Sequence, residues 1–163
     1  MVGGDDDQDL ATATSRLRLE GVHDALREAG IARDPALEVN RLPWSVVSGA
    51  EAVRELLDRR VDFDAVIAFT DSLAFGSLHA LSSAGIRVPD DVLLTGFDDV
   101  ELSAFSAPSL TTIAFDRDAL ADAALSLLVS RIDDRAIPPR SITLPHSLQE
   151  RVSTSHSPAG HQP

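Results

Sequence analysis

Residues Phe63–Asp99, FDAVIAFTDSLAFGSLHALSSAGIRVPDDVLLTGFDD, decide the fold. Ala65-Val66-Ile67-Ala68-Phe69 is an apolar run, short and branched enough for a buried strand. Thr70, Asp71 and Ser72 follow it, with side-chain oxygens suited to capping a helix start. Leu73, Ala74, Leu78 and Leu81 then share one helical face in the run to Ala84. Gly85 suits a left-handed helix exit and Pro89 bars continuation. A second apolar run, Val92-Leu93-Leu94, leads through Thr95 to Gly96-Phe97-Asp98-Asp99. Strand, helix and strand with continuously apolar strands make a βαβ unit, which predicts an α/β fold with a doubly wound, mostly parallel sheet flanked by helices. In such sheets ligands bind beyond the carboxyl ends of the strands. Asp71, Asp98 and Asp99 fall there.

Downstream, Val100–Phe105 predicts a short helical turn before Pro108, and Leu110–Phe115 a strand. Asp116 is placed to cap a helix to Ile132 with Leu120, Ala123, Ala124, Leu127, Leu128 and Ile132 on one face. Ser141–Leu148 reads as extended, with Pro145 marking an edge or bend. Ser153–Pro163 is polar and predicts a disordered tail after a single domain over residues 1–152.

Upstream, Met1–Gly4 reads as the end of a strand clipped at its start, followed by the acidic loop Asp5, Asp6, Asp7 and Asp9. Thr14–Ala29 predicts a helix with Leu17, Val22, Leu26 and Ala29 on its stripe and Gly30 closing it. Arg16 and Arg18 then fall in its first turns, where the helix dipole disfavours cations, and that conflict points to a functional reason for at least one of them. Leu37–Leu42 alternates like a half-exposed strand, Pro43-Trp44-Ser45 is a loop, and Ser48-Gly49-Ala50-Glu51 matches a capping box for the next helix.

Composition narrows the function. The 163 residues carry a net charge of −12, from 26 acids and 14 bases, and every base is arginine. No positive cluster offers itself to phosphates, so any action on DNA needs another segment. The absence of cysteine excludes disulfides and thiolate metal sites. No apolar run is long enough to span a bilayer and the start is no signal peptide, which predicts a cytoplasmic protein without membrane contact.

Catalytic motifs are lacking: no nucleophile elbow, no zinc-protease helix and no phosphate-binding loop. His23, His79, His146, His156 and His161 show no ligand spacing. Asp71, Asp98 and Asp99 could hold Mg²⁺, but no lysine or phosphate loop accompanies them, and neither metal nor cofactor is expected. Trp44 can be core or an apolar plate for a ligand; its loop position favours the plate. Arg18, Trp44 and Asp98 together suit a polyhydroxyl ligand: a guanidinium fork donates, a carboxylate accepts from neighbouring hydroxyls, and an indole packs on ring C–H groups.

Several motifs in order carry a family resemblance: Gly3-Gly4 before the acidic loop, Ser15-Arg16-Leu17-Arg18-Leu19-Glu20-Gly21, Ser48-Gly49, Phe69-Thr70-Asp71-Ser72-Leu73-Ala74, Gly85–Val92, Gly96-Phe97-Asp98-Asp99 and Pro108–Ile113. From about Val2 to Thr154 the chain resembles the effector-binding core of LacI/GalR-family transcriptional repressors, which is similar to periplasmic sugar-binding proteins. The resemblance implies a sensor built mainly of the second of two lobes, with a small effector, in the family usually a sugar, contacted by Arg18, Trp44, Thr70 and Asp98. Thr70 stands where the family often has asparagine and offers a single hydroxyl. The resemblance further implies a homodimer through Leu73, Phe75, Leu102 and Phe105, and DNA binding through an N-terminal helix-turn-helix domain outside this chain. It also implies that the Asp116–Ile132 helix packs on the first lobe, so its Leu120/Leu127/Leu128 face should be exposed in the solitary chain. The alternative class is the solute-binding component of a sugar transporter.

Overall fold

The computed structural model describes residues 10–155, with side chains from Thr14 onward. The expectations for Met1–Gly4, the acidic run and the residues after Ser155 lie outside that range.

Helix α1 (Leu10–Glu28) is followed by α2 (Val46–Arg59), β1 (Ala65–Ile67), α3 (Asp71–Ser83), β2 (Leu93–Phe97), the short α4 (Leu102–Phe105), β3 (Thr111–Phe115), α5 (Arg117–Asp133) and β4 (His146–Gln149). The four strands form one sheet in the order β1-β2-β3-β4. β1, β2 and β3 run parallel, with Val66 opposite Leu94 and Gly96 opposite Thr112. β4 runs antiparallel to β3, with Leu148 opposite Ile113. It starts just after Pro145, which can supply no ladder N–H.

Within the deciding stretch β1 is shorter and less covered than expected. It ends at Ile67, with Ala65 and Ile67 exposed on either side of buried Val66, because it is an edge strand of the sheet. The helix and its ends behave as their residues dictate. Thr70 caps α3 by accepting the Leu73 N–H at 3.2 Å, and Gly85 leaves the helix at φ +76°. Leu73, Leu81, Leu94 and Leu110 are essentially inaccessible, joined by Val53, Leu56 and Val66. Helices α2 and α3 approach at two glycines. A Cβ on Gly49 would lie 2.1 Å from the Leu73 carbonyl oxygen, and one on Gly76 would lie 1.9 Å from that of Val46. Only glycine permits that separation.

Several local expectations are corrected. Residues 37–42 form no strand: Asp34 accepts the Ala36 N–H at 2.9 Å and Pro35 opens a 3-10 turn to Leu37, leaving one bridging residue, Val39. The cap of α2 is Ser45, not Ser48; Ser45 Oγ accepts the Ser48 N–H at 3.1 Å. Helix α1 begins before Thr14, so Arg16 and Arg18 lie beyond its first turn and the expected conflict with the helix dipole vanishes. Arg16 pairs with Glu20 at 3.3 Å. Leu17 is 62% exposed, whereas Leu19 and Val22 pack on the core, because the spacing of Leu19, Val22 and Leu26 defines the inner face and Leu17 falls off it.

The tail does not begin at Ser153. That residue is 1% exposed; its Oγ donates to the Leu94 carbonyl at 2.7 Å and accepts the Thr111 N–H at 2.8 Å. Thr154 Oγ1 lies 2.7 Å from Thr111 Oγ1. These bonds stitch the end of the domain to β2 and β3.

Helix α5 is capped by Asp116, which accepts the Ala119 N–H at 2.9 Å. None of its residues is buried. Leu120, Leu125, Leu128, Val129 and Ile132 are exposed, while Leu127 is half-buried. The apolar surface therefore runs around the helix instead of forming one stripe.

Candidate ligand site

The site lies at the carboxyl ends of β1 and β2. Arg18 reaches it from α1, donating Nη1 to the Phe69 carbonyl and placing Nη2 3.8 Å from Asp98 Oδ1. Its guanidinium carbon stands 3.6 Å from the Phe97 ring centroid and 5.3 Å from that of Trp44. Trp44 meets Phe69 edge-on, with centroids 6.4 Å apart. The indole N–H of Trp44 is buried and has no acceptor among the described residues, a donor whose desolvation costs about 1–3 kcal/mol.

Burial lowers the Arg18 pKa from its usual value and Asp98 opposes that shift; an arginine so placed remains a cation. Burial raises the Asp98 pKa above the ordinary aspartate value. Arg18 and Arg117 pull it down, and Asp71 adds to the rise. The carboxylate is thus held half-desolvated against a cation, free to accept from a ligand's hydroxyls.

Backbone geometry aims it. Asp98 has φ +118° and Asp99 φ +49°, two consecutive non-glycine residues in left-handed space. Such residues persist where surrounding bonds over-determine them. Here the Asp98 N–H donates to the Ile113 carbonyl at 3.0 Å, and Arg151 Nη2 donates to Asp99 Oδ1 at 2.7 Å. Arg117 Nη2 donates to the carbonyl oxygens of Asp98 at 2.5 Å and Asp99 at 2.9 Å.

The structure brings Arg18, Trp44 and Asp98 together. Thr70 borders the same strand end; its Oγ1 accepts the Leu73 N–H, leaving its own O–H to donate. Asp71 is a brace of the fold: fully buried, it accepts from Val100 N–H at 2.9 Å, Ser103 Oγ at 2.6 Å and Thr112 Oγ1 at 2.6 Å. Its oxygens are spent on fixing the β2–α4 turn and β3, and a Cβ on Gly96 would fall 2.2 Å from Asp71 Oδ1. Leu73 is corrected as an interface candidate, since it is a core residue with no exposed surface. Phe75 packs against the core and stays half-buried, whereas Leu102 and Phe105 on α4 are exposed, Phe105 at 78%.

Sequence reasoning missed Phe97, Phe69, Arg117 and Arg151 at this site. Phe97 was visible as the aromatic beside the strand-end aspartates. The roles of Phe69 O and the two arginines had no local signal, because they arise from contacts between distant segments.

Residues 1–154 match the periplasmic binding protein-like domain family. The chain belongs to that family. It is 35% identical over 144 residues to the ribose operon repressor of Escherichia coli, covering 88% of this chain and 43% of the relative. It is 37% identical over 138 residues to the HTH-type transcriptional regulator GalR of Escherichia coli, covering 85% and 40%. Among solved structures it superposes on a LacI-family transcriptional regulator from Sanguibacter keddieii with a TM-score of 0.85 and 41% identity, over 94% of this chain and 57% of that one. It superposes on the CelR–cellobiose complex with a TM-score of 0.84 and 32% identity, over 93% and 46%. The relatives are LacI/GalR-type regulators, as the motifs imply, and not enzymes or transporter components. The chain spans less than half the length of the curated relatives it matches.

Proposed function

We propose that this chain is the effector-sensing lobe of a LacI-type transcriptional repressor, taking a small saccharide at Arg18, Trp44, Thr70 and Asp98. The observation that carries the reading is the Arg18 guanidinium lying over the faces of Phe97 and Trp44 with the Asp98 carboxylate beside it at the strand ends. A charged donor and acceptor beside aromatic rings match the alternating O–H and C–H surface of a sugar. A relative with this fold is captured with cellobiose, which supports a saccharide. Ligand closure would favour one of two arrangements of this lobe and its partner lobe, changing operator affinity by that differential binding.

DNA contact falls to a helix-turn-helix segment outside this chain, in keeping with the net charge of −12. Phe75, Leu102 and Phe105 supply the homodimer contact. A cytoplasmic location goes with this role, and among the described residues no helix is long and apolar enough to cross a membrane.

The test is Trp44 fluorescence of the purified chain titrated with ribose, cellobiose and further mono- and disaccharides. A saturable change that disappears in a folded Asp98→Ala variant is the expected result. A flat response to every sugar in a folded sample would sink the saccharide reading for this lobe.

A further inference from the structure

Arg117 is out of place by helix energetics. It is the first residue of α5, where backbone N–H groups point outward and the helix dipole disfavours a cation. It is also exposed, with no carboxylate partner among the ion pairs of the described residues. Its guanidinium instead folds back on the turn after β2 and donates to two successive carbonyl oxygens, those of Asp98 and Asp99. Those are the residues at φ +118° and +49°. Arg151, just past the end of β4, holds the Asp99 side chain by donating to its Oδ1. The Asp99 N–H lies 3.4 Å from Thr112 Oγ1.

We propose that Arg117 is a positioning residue of the ligand site, clamping the left-handed Asp98–Asp99 turn so that the Asp98 carboxylate faces Arg18. This rests on the saccharide reading for its link to ligand. Because Arg117 belongs to the first turn of α5, the clamp makes the placement of α5 and the geometry of the site interdependent. Asp116 fixes that first turn through the Ala119 N–H, so a shift of α5 moves the guanidinium with it. The coupling then runs through a direct physical contact, the two hydrogen bonds from Arg117.

Amide hydrogen exchange by NMR in the chain without ligand, compared among wild type, Arg117→Gln and Arg117→Lys, tests the clamp. In Arg117→Gln the amides of Asp98 and Val100 should exchange about three- to tenfold faster, the scale of one net hydrogen bond at an exposed site. Ala74 in α3, bonded to the Thr70 carbonyl, should be unchanged. Arg117→Lys should restore part of the protection. Unchanged exchange at Asp98 and Val100 in Arg117→Gln overturns the clamp. Titration of the same proteins with cellobiose and ribose, read by Trp44, tests the link to ligand. Weaker binding in Arg117→Gln is expected, and equal binding despite faster exchange overturns that link. Faster exchange with no sugar response even in wild type leaves the clamp standing and removes the saccharide reading.

Discussion

Arg18 Nη2 stands 3.8 Å from Asp98 Oδ1, with the Phe97 ring beneath the guanidinium, although the two residues come from α1 and the end of β2. The pair is separated by more than a hydrogen bond, so each partner keeps capacity for a third group. That geometry gives a site in which binding and stability oppose each other.

Asp98 makes the opposition measurable. Its folded pKa is raised, chiefly by burial, so the native state binds this proton more tightly than the unfolded chain does. Stability from this group is therefore greatest below the ordinary aspartate pKa and falls as pH rises through the raised folded value. Thermal melts of Asp98→Asn against wild type should show the variant more stable at neutral pH. The difference should close as pH falls below the folded pKa, while sugar response is lost at all pH.

Asp71 serves the scaffold. Asp71→Ala strands the Val100 N–H and the Ser103 and Thr112 hydroxyls in a buried setting. A loss of about 3 kcal/mol or more in urea denaturation is expected. A loss under about 1 kcal/mol would show that water replaces the carboxylate easily.

Gly49→Ala and Gly76→Ala force α2 and α3 apart, since each new methyl would overlap a backbone carbonyl. Each should cost about 1–3 kcal/mol or more in the same denaturation assay. Gly21→Ala is the control, because nothing lies within 4 Å of a Cβ there and helix propensity favours alanine.

Ser153→Ala removes a hydroxyl that donates to Leu94 O and accepts from Thr111 N–H. The expected cost is about 1–3 kcal/mol. Removal of the chain after Glu150 should cost more, because it also takes away Arg151 and the Thr154 contact.

Helix α5 exposes Leu125 and Leu128 at 58% and 56%. An apolar surface of this kind promotes association. Sedimentation velocity should show concentration-dependent self-association of the chain that Leu125→Glu with Leu128→Glu reduces. Folding stability should change by no more than about 0.5 kcal/mol, as for other exposed positions.

Much of the sheet was legible because its signals are local. The Thr70 cap, Gly85 and the Asp116 cap act within a few residues of themselves, and the structure shows each doing so; the Ala65–Phe69 run gives a strand, but only to Ile67 and with Ala65 and Ile67 exposed. Leu37–Leu42 misled because its alternation is outweighed by Asp34-Pro35, which closes a turn at once. Ser48 misled because two serines at the correct spacing competed for the cap, and the loop from Pro43 decided for Ser45. Leu73 misled because a helix start lies near both core and surface, and only the close approach of α2 at Gly49 shows which side it faces.

By itself the sequence determined the helix and strand order from Ala65 to Asp133, the parallel βαβ core, and the place of Asp98 at the carboxyl edge of the sheet. Those follow from hydrophobic periodicity, capping and the rule that parallel strands end together. Arg18 and Trp44 joined Asp98 there as a chemically suited set that the family resemblance also implied. Tertiary structure alone decided that Asp71 is a buried brace, that Ser153 locks the end of the domain, and that Arg117 and Arg151 grip the Asp98–Asp99 turn. Each depends on hydrogen bonds between segments far apart in the chain, which carry no periodicity and become visible only when the backbone brings their donors and acceptors within reach.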